Sequence, residues 1–173
     1  MSLLDQFKQI STFVFDIDGV LTDGTLFVFP GGEFVRRMNI KDGYALQLAI
    51  KKGYRIVVIS GADAGPVSIR LKKLGINDVF FQVLNKKEKL AEYIKQHNLG
   101  WNEVLFMGDD IPDYEALQQV GLSCAPADAV AEIKQVAKYI SLFAGGQGCV
   151  RDVIEKVLKL NDHWDLNTGI ASK

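Results

Sequence analysis

Two carboxylates, Asp16 and Asp18, stand at the end of the apolar run Phe13-Val14-Phe15 and are followed at once by Gly19 and Val20. An apolar run that stops in acids reads as a buried strand carrying carboxylates to its C-terminal edge, where open α/β sheets bind their ligands. Gly19 ends the extension and lets the second acid swing back over the first. One acid can then attack while the other moves a proton. Further groups follow in the same setting: Ser60-Gly61 after Ile56-Val57-Val58-Ile59, Lys86 at the start of a helical pattern, and Asp109, Asp110 and Asp113 after Val104-Leu105-Phe106-Met107. Five carboxylates crowded at one edge repel unless a cation shares the site, and oxygen ligands suit a hard divalent ion, Mg²⁺ above all. A lysine and a hydroxyl beside that ion bind a phosphate, with Gly61 allowing a backbone N–H to approach closely. A carboxylate nucleophile suits phosphoryl transfer because its aspartyl-phosphate is itself labile to water.

These groups meet only if the intervening chain folds as alternating strands and helices, and its patterning predicts that alternation. Strands are expected over 11–15, 54–59, 78–82, 103–107, 122–125 and 139–141, with helices over 41–52, 66–74, 86–98, 114–120, 129–137 and 151–160. Right-handed crossovers then bring the strand ends to one edge of an α/β, doubly wound, mainly parallel sheet covered on both faces. Between the first strand and the first of these helices, residues 25–29 and 33–38 flank Pro30-Gly31-Gly32 and read as a β-hairpin. Leu26 and Val28 lie on one face of its outgoing arm and Phe27 and Phe29 on the other, so both faces ask for burial. A small domain can meet that demand only against another surface. Residues 1–160 form a single domain and 161–173 a polar tail.

Composition narrows the partners. The chain has 173 residues, 48% apolar and 24% charged, with a net charge of -1. That composition suits one globular domain and gives no reason to expect nucleic acid or an anionic membrane. The only cysteines, Cys124 and Cys149, are far apart and lack metal-ligand spacing, which fits a reducing compartment. The N-terminus lacks the basic and apolar regions of a leader, and no apolar run approaches membrane-spanning length, so a cytoplasmic protein is expected. His97 and His163 read as surface residues, and Trp101 and Trp164 as packing residues.

The segments Asp16-Ile17-Asp18-Gly19-Val20-Leu21-Thr22-Asp23-Gly24, Ser60-Gly61, Lys86 and Gly108-Asp109-Asp110-Ile111-Pro112-Asp113 resemble, in order, the four motifs of the haloacid dehalogenase superfamily of phosphatases. The resemblance implies that Asp16 is the nucleophile and Asp18 the general acid and base, with Ser60, Gly61 and Lys86 on the phosphate. It also implies that Mg²⁺ is held by Asp109, the Asp16 carboxylate and the Asp18 carbonyl, while Asp110 and Asp113 support the ion and its waters. Only 41 residues separate Asp18 from Ser60 and 25 separate Ser60 from Lys86, too few for a cap domain beyond the expected hairpin and helices.

Among capless members the chain is similar to the 3-deoxy-D-manno-octulosonate 8-phosphate phosphatases, also through Asp42-Gly43-Tyr44 and Gly145-Gly146-Gln147-Gly148-Cys149-Val150-Arg151. That similarity implies a phosphorylated sugar acid as substrate, with Arg70 and Thr22 as residues that reach it. It implies a homotetramer with hairpins at its centre and neighbouring subunits covering each site. The chain departs from the group at Ala62 and Gln147, where arginines are usual, and Ser60 stands for a threonine. Serine preserves the hydroxyl, but neither Ala nor Gln supplies a bidentate partner for a sugar carboxylate. A nine-carbon 2-keto-3-deoxy acid phosphate is therefore an alternative substrate. From other classes, a phospho-accepting receiver domain and an oligomeric binding module compete. A receiver places its acid pair on the first strand and its phosphorylated Asp on the third, whereas here Asp18 lies two residues from Asp16 and supplies a proton-transfer group.

Overall fold

In the computed structural model, which describes residues 1–166 and 169–170, the expected alternation is present. The elements run α1 (Leu3–Gln9), β1 (Thr12–Phe15), β2 (Phe27–Val28), β3 (Phe34–Val35), α2 (Ile40–Lys51), β4 (Arg55–Ile59), α3 (Gly65–Lys73) and β5 (Asp78–Phe80). They continue with α4 (Lys86–Gln96), β6 (Val104–Met107), α5 (Tyr114–Leu117), β7 (Leu122–Ala125), α6 (Ala131–Val136), β8 (Tyr139–Ile140) and α7 (Cys149–Leu160). Helix α1 has no counterpart in the expectations above. Its local signal is a capping box: the Ser2 hydroxyl accepts the Asp5 N–H, and the Asp5 carboxylate accepts the Ser2 N–H.

Six strands pair in parallel in the order β5-β4-β1-β6-β7-β8. The chain leaves β1 toward one edge through β4 and β5, then returns past it through β6, β7 and β8. A crevice therefore opens beyond the C-terminal end of β1, the position at which such sheets bind ligands. Register levels the flanking strands there, with Phe15 opposite both Val58 and Met107. Alternation along the strands splits the core in two. Phe13, Phe15, Ile56, Val58, Leu105 and Met107 pack with apolar residues of α1, α2, α3 and α7, while Val14, Val57, Ile59, Val104 and Phe106 pack beneath α4, α5 and α6. No helix among the described residues is long and apolar enough to cross a membrane.

The hairpin is present but its ladder is short, pairing Phe27 with Val35 and Val28 with Phe34. An isolated bridge between Thr22 and Met38 closes its base. In the single chain Leu26, Phe27, Val28, Phe29, Phe34 and Val35 are all exposed, from 45% at Val35 to 68% at Val28. Of the segment expected as a tail, residues 167–168 and 171–173 lie outside the described residues. The rest folds back on α2 and α7. Trp164 meets Tyr44 edge-on at 6.0 Å and lies under the Arg151 guanidinium at 5.3 Å, while Asp165 pairs with Lys52 at 2.6 Å. His163 is exposed, as its surface reading has it, and its Nδ1 lies 2.9 Å from the Tyr54 hydroxyl.

Candidate active site

The first carboxylate is fixed by the sheet itself. Every residue of β1 is buried, and the ladder continues one step past the strand, where the Asp16 N–H donates to the Met107 carbonyl at 3.2 Å. The chain then winds through a wide turn over Ile17–Leu21, closed by the Thr22 N–H on the Ile17 carbonyl at 3.0 Å. Gly19 is required in this turn on two counts. Its φ is +86°, and a Cβ there would fall 2.0 Å from Oδ2 of Asp109. The absence of a side chain is what lets the loop after β6 approach the loop after β1. The same packing extends to the loop before α7, where a Cβ on Gly145 would fall 1.9 Å from the Gly19 carbonyl oxygen and the Gly146 N–H donates to Val20 at 2.9 Å. Helix α7 is held in place from α2: the buried Asp42 carboxylate accepts the Arg151 N–H at 2.9 Å. The two short segments that resemble the capless group thus join to brace the turn that carries Asp18.

The remaining groups converge from β4, α4 and β6. Asn85 caps α4, so its first residue, Lys86, points inward and is 4% exposed. Its Nζ lies 2.9 Å from Oδ1 of Asp16 and 2.6 Å from Oδ1 of Asp113. The other oxygen of Asp113 accepts the Asp109 N–H at 3.1 Å, which clamps the turn after β6. Asp110 is exposed and accepts the Ile111 N–H at 2.8 Å. Ser60 is buried at the end of β4, and its hydroxyl accepts the Ala62 N–H at 3.1 Å. Asp16, Asp18, Ser60, Gly61, Lys86, Asp109, Asp110 and Asp113 line one cavity of about 300 Å³.

Thr22 is not among the lining residues. It is fully buried, with its hydroxyl accepting the Gly24 N–H at 3.3 Å and lying 3.5 Å from Asp18, so it braces the loop instead of facing the cavity. Arg70 lines a neighbouring cavity of about 330 Å³ between the hairpin and α3, together with Phe34, Val35, Arg36 and Pro66. Its Nε and one terminal nitrogen are buried without hydrogen-bond partners among the described residues. Arg36 has no place in the sequence reading. At the end of the returning hairpin arm it grips Asp18 with two donors, Nε to Oδ1 at 2.7 Å and a terminal nitrogen to Oδ2 at 3.2 Å. Its only sequence signal is an Arg36-Arg37 pair beside an apolar arm.

One lysine faces several acids, and the electrostatics follow from that shortage. Burial, followed by repulsion from Asp113, pushes the Asp16 carboxyl up against the pull of Lys86. Burial and then the charges of Asp16, Asp113 and Asp110 push Asp109 up to about 7. Burial acts to lower the Lys86 pKa, but Asp113 and Asp16 outweigh it and the net shift is upward. Oxygens of Asp16, Asp109 and Asp113 lie within 4.8 Å of one another, and Oδ1 of Asp109 is buried without a hydrogen-bond partner among the described residues. Oxygen donors, excess negative charge and an unpartnered carboxylate oxygen fit a hard divalent cation.

Rooted acids, a buried lysine and a hydroxyl at the switch point of a parallel sheet define a phosphohydrolase-type centre, and the comparisons agree. A family model for haloacid dehalogenase-like hydrolases matches residues 64–151. The 3-deoxy-D-manno-octulosonate 8-phosphate phosphatase KdsC of Escherichia coli is 32% identical over 94% of this chain and 86% of its own length. The chain belongs to the haloacid dehalogenase-like hydrolases. The crystal structure of the 3-deoxy-D-manno-octulosonate 8-phosphate phosphatase of Yersinia pestis superposes with a TM-score of 0.93 at 29% identity, covering 97% of this chain and 91% of that one. The enzyme of the same name from Moraxella catarrhalis, solved with magnesium, phosphate and KDO, gives 0.89 at 28% identity, with 92% of each chain covered.

Proposed function

We propose that this chain is a Mg²⁺-dependent phosphatase that hydrolyses 3-deoxy-D-manno-octulosonate 8-phosphate to the free sugar acid and phosphate through an aspartyl-phosphate on Asp16. The observation that carries the reading is the buried Lys86 between Asp16 and Asp113, beside the unpartnered oxygen of Asp109, in a protein similar over nearly its whole length to phosphatases of that name. In the first half-reaction an Asp16 carboxylate oxygen attacks phosphorus as the ester P–O bond breaks, and Asp18 gives its proton to the departing oxygen. In the second, Asp18 takes a proton from water as that water attacks the aspartyl-phosphate, releasing phosphate and the Asp16 carboxylate. Ser60, Gly61 and Lys86 hold the phosphoryl oxygens. Asp16, Asp109 and the Asp18 carbonyl would hold Mg²⁺, with Asp110 and Asp113 supporting it, and the ion supplies charge stabilisation at the phosphoryl group.

The exposed hairpin supports assembly as a homotetramer in which its apolar faces are covered by other copies. Arg70, two of whose buried nitrogens lack partners among the described residues, is a candidate contact for the sugar acid from the neighbouring cavity. The two buried free cysteines suit action in the reducing cytoplasm. The test is kcat/KM with Mg²⁺ for the eight-carbon acid phosphate, its nine-carbon analogue, hexose phosphates and nucleoside monophosphates. The eight-carbon substrate is expected to lead. A nine-carbon lead would attach the departures at Ala62 and Gln147 to substrate size, and a hexose or nucleoside lead would refute the sugar acid.

A further inference from the structure

We propose that Arg36 is a positioning residue that sets the orientation of the Asp18 carboxylate for proton transfer, so that the hairpin contributes to the chemistry of its own chain. The inference rests on the reading of Asp18 as the general acid and base. Asp18 sits in a turn with a glycine after it and has 36% of its side chain exposed, so the backbone alone leaves its carboxylate free to rotate. Two contacts restrain it. The Thr22 hydroxyl is 3.5 Å away, at the limit of a hydrogen bond, whereas Arg36 reaches both oxygens at 2.7 and 3.2 Å. A two-point guanidinium contact fixes the plane of a carboxylate as well as its position. Most surface ion pairs do little, but this one has the bidentate geometry that makes an exception, and the Arg36 side chain is only 11% exposed. The residue is anchored by its place on the chain, one step beyond the β3 strand Phe34–Val35 and just before the Thr22–Met38 bridge.

In the step concerned, Asp18, protonated on an oxygen lone pair that the Arg36 contact leaves free, gives that proton to the leaving oxygen while the bond from phosphorus to that oxygen breaks and the bond to Asp16 forms; the ionised carboxylate that results is the form the two-point contact holds. A misaimed acid matters most when the leaving group is a poor one. Arg36→Gln should lower kcat on an alkyl phosphate by about 10²-fold, the scale of loss for a misplacement near 1 Å, with the alkyl-to-aryl kcat ratio falling at least about tenfold. Arg36→Lys keeps one charged donor and should restore part of the alkyl rate; it also carries the test if the glutamine variant fails to fold. The deciding comparison uses the Asp18→Asn background, where Arg36→Gln should cost nothing further because the group it aims is gone. Losses that add in that background, equal losses on alkyl and aryl substrates, no recovery with lysine, or a change confined to KM would each overturn the proposal. Should Asp18→Asn itself show no leaving-group dependence, the assignment of Asp18 fails and the proposal falls with it.

Discussion

The carboxylate edge and the hairpin that follows its first two acids are incomplete in opposite ways. At the edge, the buried ends of β1 and β6, the start of α4 and the turn after β6 hold Asp16, Lys86, Asp109 and Asp113 within a few ångströms, and what is left over is charge: too many acids for one lysine, and one Asp109 oxygen without a partner among the described residues. On the hairpin four residues form a two-step ladder, and what is left over is apolar surface on both faces. A polar surplus inside a core calls for an ion, whereas an apolar surplus outside one calls for another protein surface. Arg36 joins the two regions, since it sits on the hairpin and holds Asp18.

Asp16→Asn keeps the shape of the side chain and removes the nucleophile, so turnover should fall to background while the fold survives; retention of more than roughly a tenth of the wild-type rate would contradict the assignment. Asp18→Asn should cost about 10²–10⁴ in rate on a poor alkyl leaving group and less on an activated aryl one. Equal losses on the two substrates would give Asp18 another role.

The hairpin side is broken by replacing Phe27 and Phe29 together with Asp. Each carboxylate buried in an interface would cost several kcal/mol, so light scattering at micromolar protein should find the wild type near the mass of four chains and the variant in smaller species. A monomeric wild type would contradict assembly through the hairpin.

The smallest effect sharpens the edge. Asp16 and Asp109 are raised in the folded protein above the carboxylate values near 4 expected of the unfolded chain. The folded state therefore holds protons that the unfolded state releases. Their contribution to stability is full below about pH 4 and is lost as pH rises through the raised values, about 7 for Asp109. With chelator present, Tm should fall from mildly acidic to mildly basic pH. Mg²⁺ at about a hundred times its Kd should raise it by roughly 5–10 °C at the basic end. A Tm indifferent to both pH and Mg²⁺ would contradict the crowded-acid account.

The sheet was legible because its strands β1, β4 and β6 announce their own ends: an apolar run, then Asp16, Ser60 or, past Gly108, Asp109. Period-two alternation and glycine stops carry that information locally. The acids were legible as a set for the same reason, and the resemblance implied a role for each, but the contacts among them were not legible. Spacing places Asp113 near the site without revealing that it shares Lys86 with Asp16, because that contact depends on how α4 meets the turn after β6. Thr22 reads as a polar residue near the substrate, yet the turn closes over it. Arg36 was missed because a basic pair at the end of a hairpin looks like a solvated arm, and only tertiary structure lays it on Asp18. Likewise, the polar segment after α7 folds back through Trp164, whose partners Tyr44 and Arg151 lie on separate helices.

The central claim is that the Asp16 carboxylate becomes phosphorylated during turnover. Reductive trapping tests it most directly: the enzyme is quenched during steady turnover of its phosphate ester, reduced with borohydride and digested for mass spectrometry. An acyl phosphate at Asp16 would be recovered as homoserine at that position, with Asp18, Asp109 and Asp113 unchanged. Homoserine at another of these positions, or none at any of them while phosphorylated enzyme accumulates, would contradict the account.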